Sequence, residues 1–278
     1  PTSTEEFVDV QAAADVVYTE VRYDPVRLAS SKLGGTNISQ EKVVSAIQRG
    51  IQQGVDKHGK SLEVYQLLCA MRGSPAGACF DLVRLAAQVR DGNVGGVVGV
   101  DLAGDELHYN NTYGDVESCL RYAKRVLHLN TTVHAGEMAG PADVSSAILA
   151  MEADRVGHGY SAIQDPAVVE LIRKHGVHLE ACPAGRHDNL HATGVYLVEG
   201  LNFGLSRDDP ASYFGNISLS GVENLMRTRL NFSDDDISAA YQNAMAAGFA
   251  PDAARLSARP AASKHPSAVS NVEEVLFR

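Results

Sequence analysis

The sequence predicts an α/β protein in which helices cover a parallel sheet. Short apolar runs alternate with amphipathic stretches of helical period along most of the chain. The runs, VVYTEV and GVVGVDL among them, are nearly continuous, as strands buried on both faces must be. Polar residues collect where the runs end, which is where a parallel sheet presents its ligand site.

A helix-like stretch, Glu5–Ala14, leads into a first strand at Val16–Tyr23. Further strands are expected at Leu62–Met71, Gly96–Ala103, Thr131–Ala135, Arg155–Gly157, Val177–Ala181 and Leu201–Leu205. Between them the periodicity predicts helices over Glu41–Val55, Cys79–Val89, Val116–Leu127, Ala142–Ala153, Ala167–Lys174 and Leu190–Val198. Pro141 and the Asp165-Pro166 step stand where helices should start, because proline's fixed φ suits the first helical turn. Two more helices are expected near Gly221–Leu230 and Asp234–Gly248, the second opened by a capping box of Ser233 and Asp236. Seven strands are one short of a closed (β/α) barrel. A missing first βα unit would account for the count and for the opening helix; a doubly wound open sheet would also take seven. Residues 1–257 are expected to form this single domain, and the Ala-, Ser- and Pro-rich residues 258–278 a flexible tail.

The chain has 278 residues with 34 acidic and 24 basic side chains, a net charge of −10. That balance disfavours nucleic acid and anionic membrane surfaces as partners. With 45% hydrophobic and 21% charged residues the composition is that of a globular protein. No apolar stretch approaches the ~18 residues of a membrane span. The four cysteines (Cys69, Cys79, Cys119, Cys182) form no CxxC pair and are expected to be free thiols in a reducing, cytoplasmic setting. Asn-x-Ser/Thr triplets, for example at Asn37, Asn130 and Asn216, are expected to be coincidental.

The strand ends carry the chemistry. They read AGDE (Ala103–Glu106), HAGE with His134 and Glu137, GHG with His158, EACP (Glu180–Pro183), and Ser206-Arg207-Asp208-Asp209-Pro210. In a sheet that curls into a barrel these groups converge on one cavity. Imidazole and carboxylate together suit Zn²⁺, and His134 and Asp208 are the natural ligands. Glu137 can transfer a proton and His158 can orient or deprotonate a water. Two protein ligands are fewer than a catalytic zinc takes, and no HxH occurs in the chain. The pair His187 and His191 reads as solvated helix surface.

At these residues the sequence resembles the adenosine deaminase family. The matching stretches are VVYTEVRYDP, LLCAMRG, GVDLAGDE, TVHAGE, DRVGHGY, LEACP and NFGLSRDDP, in family order, from about residue 5 to about residue 250. The resemblance implies a TIM (β/α)8-type barrel whose first βα unit is missing. It also implies hydrolysis of adenosine and 2′-deoxyadenosine to inosine and ammonia, a reaction of purine salvage, by attack of zinc-bound hydroxide on C6. His134 and Asp208 then look like zinc ligands, Glu137 like the acid that protonates purine N1, and His158 like the group that positions the hydroxide. Asp209 looks like the partner of N7, and the Gly104 N–H like that of N3.

Two departures stand out. Family members begin with a further strand whose HxH pair supplies two zinc ligands, and this sequence starts after it, which leaves open whether the chain as given is active. Ala184-Gly185-Arg186 and Ser206-Arg207 replace the usual Ser-Asn and Asn-Thr, and Arg207 would set a cation beside Asp208 unless strand alternation turns it away. The alternatives are an adenine- or AMP-type deaminase, or a non-catalytic truncated homologue acting as a binding protein.

Overall fold

The structure, a computed structural model, describes residues 2–30, 38–59, 62–111, 114–184, 189–208, 218–251 and 273–274. All seven expected strands form: β1 (Tyr18–Tyr23), β2 (Glu63–Met71), β3 (Val97–Ala103), β4 (Asn130–Ala135), β5 (Arg155–His158), β6 (His178–Ala181) and β7 (Phe203–Leu205). Each pairs in parallel with its neighbour in sequence, so the sheet order runs from β7 down to β1. A two-residue strand, β8 (Glu273–Glu274), adds to the outer side of β1 with Glu273 opposite Val21. These are the only described residues of the expected tail. Among the described residues β7 pairs with β6 alone, so the barrel is incomplete, with its gap between β7 and the β1–β8 edge.

The helices are α1 (Thr2–Ala13), α2 (Pro25–Ala29), α3 (Gln40–Lys57), α4 (Ala78–Val89), α5 (Val116–Arg125), α6 (Pro141–Leu149), α7 (Pro166–His175), α8 (Leu190–Val198), α9 (Leu219–Leu230) and α10 (Asp234–Ala247). Local chemistry sets their ends. Asp165 caps α7 by accepting from Ala167 N, Pro166 follows at the first helical position, and Gly176 closes the helix in the left-handed region at φ 62°. The capping box of Ser233 and Asp236 opens α10 as expected. Two elements escape the sequence pattern. Five-residue α2 is too short to show a period and is held by Asp24, which accepts from Val26 N and Arg27 N. A 3₁₀ turn follows β5 at Tyr160–Gln164. Helix α6 stops at Leu149 rather than Ala153, because Glu152 adopts φ 58° and turns the chain into β5.

Apolar strand residues on the outer face of the sheet, such as Val64, Leu68, Val100, Val133, Val156 and Leu179, pack against the helices. On the inner face, β1 reaches the strands opposite it. Arg22 Nη2 lies 2.6 Å from Glu180 on β6, and Arg155 Nη2 on β5 lies 2.7 Å from Glu20 on β1. Strands four and five places apart in a flat sheet could not meet in this way, so these ion pairs record the curl. The base of the lumen is plugged by the segment after α10. Phe249 N donates to Glu20 Oε1 at 2.5 Å, Ala250 N donates to the Tyr18 hydroxyl at 3.2 Å, and the Phe249 ring lies 3.5 Å from the Arg155 guanidinium.

The cysteine expectation is corrected in part. Cys79 on α4 and Cys119 on α5 form a disulfide, whereas Cys69 and Cys182 are buried and not disulfide-bonded. Spacing rules look for close pairs, and these two lie 40 residues apart; only the packing of adjacent helices brings them together. Closing a loop of that size contributes roughly 2–4 kcal/mol. No helix among the described residues is long and apolar enough to cross a membrane.

Buried His178 at the start of β6 bonds through Nδ1 to Asn202 Oδ1 at 2.9 Å, and burial pushes its pKa down from 6.5 to about 4. Between those values the unfolded chain takes a proton that the folded chain refuses. The stability is full above about pH 6.5 and falls by ~3 kcal/mol as pH drops to about 4. Urea titrations at about pH 7 and about pH 4.5 should show this loss shrinking in His178→Gln; an unchanged loss would place it elsewhere.

Candidate active site

The lumen holds a chain of charged side chains drawn from four strands. Arg22 on β1 contacts Asp101 on β3 at 3.1 Å and Glu180 on β6 at 2.6 Å. Arg155 on β5 contacts the same Glu180 at 2.7 Å and Glu20 on β1, and donates to Ala247 O at 3.1 Å. Thr132 Oγ1 donates to Glu180 at 3.1 Å. All are buried. Burial by itself would raise the Asp101 carboxyl, but His134 and Arg22 beside it hold it well below the usual carboxylate range. Arg22 and Arg155 likewise outweigh burial and lower Glu180.

Above this chain the C-terminal strand ends form a rim. His134 Nδ1 sits 3.1 Å from Asp101 Oδ1, so a buried carboxylate orients the ring. Gly157 is what lets His134 pack there, since a Cβ on it would meet the imidazole at 3.2 Å. His158, 3% exposed, adopts φ 62°, an unusual backbone state for a side chain of this kind and one that concentrates at functional sites. The Tyr196 hydroxyl donates to its carbonyl at 3.1 Å. Its ring centroid lies 5.0 Å from that of His134. Its Nε2 lies 3.8 Å from Glu137 Oε2, and its buried Nδ1 has no hydrogen-bond partner. Glu137 is partly exposed at the mouth.

The loop that carries Glu137 is clamped from two sides. The Glu106 carboxylate, 3% exposed, accepts from the backbone N–H of Glu137 at 3.1 Å, Met138 at 3.1 Å and Ala139 at 2.9 Å. Arg72 donates to His134 O and Asn111 Oδ1, each at 2.6 Å, and to Tyr109 O at 3.1 Å. Gly136 within the loop has φ 75°, and a Cβ there would lie 2.6 Å from Ser161 Oγ and Val144 Cγ2, so no other residue fits. Gly104 at the end of β3 adopts φ 107°, again a backbone state that glycine alone takes readily.

Ligand-type atoms of His158, Cys182 and Asp208 all lie within 4.8 Å of one another. Cys182 is fixed by its backbone N–H, which donates to the Tyr160 hydroxyl at 2.7 Å. His134 is next to this group rather than in it. Beneath the rim a cavity of about 10 Å³, the size of one water, is bounded by Arg22, His134, Gly157, His158, Glu180, Cys182 and Arg207. Arg207 is therefore not turned away by strand alternation: it is 8% exposed, and burial lowers its pKa.

The structure thus gathers His134, Glu137, His158, Asp208 and Gly104 on one rim, while Asp209, Arg186 and His187 lie outside the described residues. His191 on α8 is exposed. Sequence reasoning assigned no part to Asp101, Glu106, Arg72 or Cys182. Each stood at a strand end inside a quoted motif, so the signal was there, but their partners come from other strands.

A family model described as adenosine deaminase matches residues 3–260. Adenosine deaminase of Mus musculus is 31% identical over 263 residues, which cover 89% of this chain and 72% of that protein. In fold the chain is similar to an adenine deaminase from Arthrobacter aurescens, with a TM-score of 0.76 at 20% identity over 92% of this chain and 75% of the other. It is equally similar, at a TM-score of 0.76 and 19% identity, to an amidohydrolase from Burkholderia ambifaria with bound Zn, over 90% of this chain and 68% of the other.

Arg22→Met would leave Asp101 and Glu180 facing each other without their shared cation, and should lower unfolding stability by about 3–5 kcal/mol in urea titration. Glu106→Ala strips three amides of one acceptor. It should cost about 1–3 kcal/mol and raise hydrogen exchange at Met138 and Ala139 ahead of other loops; unchanged exchange would mean that the loop is held by Arg72 alone.

Proposed function

Since the chain belongs to the adenosine deaminase family, we propose that it catalyses the hydrolytic deamination of adenosine and 2′-deoxyadenosine to inosine and ammonia, a reaction of purine salvage. One observation carries the reading: Glu137, on a loop clamped by Glu106, faces the buried imidazole of His158 at 3.8 Å on the strand-end rim. An acid at the mouth and a base behind it suit addition of water across a C=N bond.

The chemistry of the rim fits a metal. Nitrogen, sulfur and oxygen donors of His158, Cys182 and Asp208 stand close together, the His158 Nδ1 is buried without a partner, and His134 is oriented by Asp101. His134 and Asp208 would hold zinc, Asp208 standing beside the His158 and Cys182 donors. Zinc, when bound, supplies a Lewis acid that brings the pKa of water down to near 7.

The chain's own residues do the rest. Glu137 donates a proton to purine N1 and so makes C6 electrophilic. His158 takes a proton from the water whose oxygen adds to C6. The C6–N bond then breaks, ammonia leaves with a proton, and inosine remains. The Gly104 N–H donates to N3, at a turn whose φ of 107° lets a flat base approach the backbone, and Asp209 bonds N7. An AMP-type reading would use Arg207 for a phosphate, but Arg207 is buried in the lumen.

In the full-length protein, Glu137→Gln should abolish deamination, followed as loss of adenosine absorbance, and leave zinc content intact; retained turnover would exclude the proton-transfer role. The same assay on adenosine, adenine and AMP should rank adenosine first, and a higher rate on either of the others would overturn the substrate assignment.

A further inference from the structure

We propose that this chain matures in an oxidising secretory compartment as a glycoprotein, with its Cys79–Cys119 disulfide closed and an N-linked glycan on Asn231. Two independent observations lead there. The first is the disulfide itself, which joins two buried cysteines on neighbouring helices of the barrel wall, Cys79 at 6% and Cys119 at 0% exposure. Bridges of this kind form and persist in oxidising compartments and are rare in a reducing cytosol.

The second is the frequency of acceptor triplets. Five of the twelve asparagines, Asn37, Asn110, Asn130, Asn216 and Asn231, are followed two residues later by Ser or Thr, with no proline between. A chain with 30 Ser and Thr among 278 residues would give about one by composition. A closed disulfide is at odds with the expected reducing setting, in which the thiols are free and the triplets coincidental.

Two triplets lie wholly within the described residues, and the fold treats them oppositely. Asn231 is exposed just past the end of α9, in the left-handed region at φ 56°, its N–H closing the helix on Met226 O. Phe232 is buried and anchors the turn, and Ser233 is exposed at the start of α10, so a bulky sugar meets solvent on this side. Asn130 is engaged. Its side-chain amide donates to Val98 O at 3.0 Å and Phe249 O at 3.3 Å, tying β4 to β3 and to the base plug. A glycan there would break the base, so the folded protein carries Asn130 bare.

Both steps balance. The two thiols give up two protons and two electrons to a protein disulfide donor, which is reduced to a dithiol. At Asn231 the side-chain nitrogen forms the new C–N bond to a lipid-pyrophosphate-linked oligosaccharide; the sugar–pyrophosphate bond breaks, and the amide loses one proton.

The test uses the protein from its own cells, alkylated without reduction and digested, with peptide-N-glycosidase treatment in ¹⁸O water to mark glycosylated asparagines. The expected result is a linked Cys79–Cys119 peptide pair, a marked Asn231 and an unmarked Asn130. Alkylated Cys79 and Cys119 would overturn the compartment, an unmarked Asn231 would overturn the glycan, and a marked Asn130 would overturn the sorting by fold. As a cross-check on the site, Asn231→Gln should remove one glycan's mass on a gel and leave the deamination rate unchanged; an unshifted band would also overturn the assignment.

Discussion

The charge chain through the lumen is the constraint on which the rest of the structure depends. Glu20, Arg155, Glu180, Arg22 and Asp101 alternate in sign and come from β1, β5, β6 and β3, and His134 on β4 continues the chain at Asp101. Burying five formal charges is costly, and the cost is offset only if each finds a close partner of opposite sign. A flatter sheet would pull β1 away from β5 and β6 and strand those charges. Curvature and electrostatics therefore stand or fall together here, and the rim residues inherit their positions from that agreement.

The rim is organised by groups that never face the mouth. Glu106 gathers three consecutive amides, Arg72 holds the His134 carbonyl, and Asp101 fixes the His134 ring. Glu137 is thereby presented by its backbone, whose N–H the Glu106 carboxylate holds. A network whose members each satisfy more than one neighbour costs little motion when a ligand arrives, which is how a site on loops gains the precision of one on strands.

Much of this was legible in the sequence. Near-continuous apolar runs located all seven strands, and Pro141, Asp165-Pro166 and the Ser233 box marked three helix starts. His134, Glu137, His158 and Asp208 stood at strand ends and were found as a set. What stayed hidden depends on distance in space: the Cys79–Cys119 pairing, the meeting of Arg22 with Glu180, and the inward turn of Arg207 just past the three-residue β7. Periodicity reports which face a residue occupies, and it carries no information on which other strand that face will meet.

The plug of Phe249 and Ala250 across the base has a consequence for traffic. It seals one end of the lumen against β1, with Arg155 beneath the Phe249 ring and Glu20 and Tyr18 holding the backbone amides. A small molecule admitted at the rim therefore finds no passage through the base and must leave by the rim or by the side left open between β7 and the β1–β8 edge.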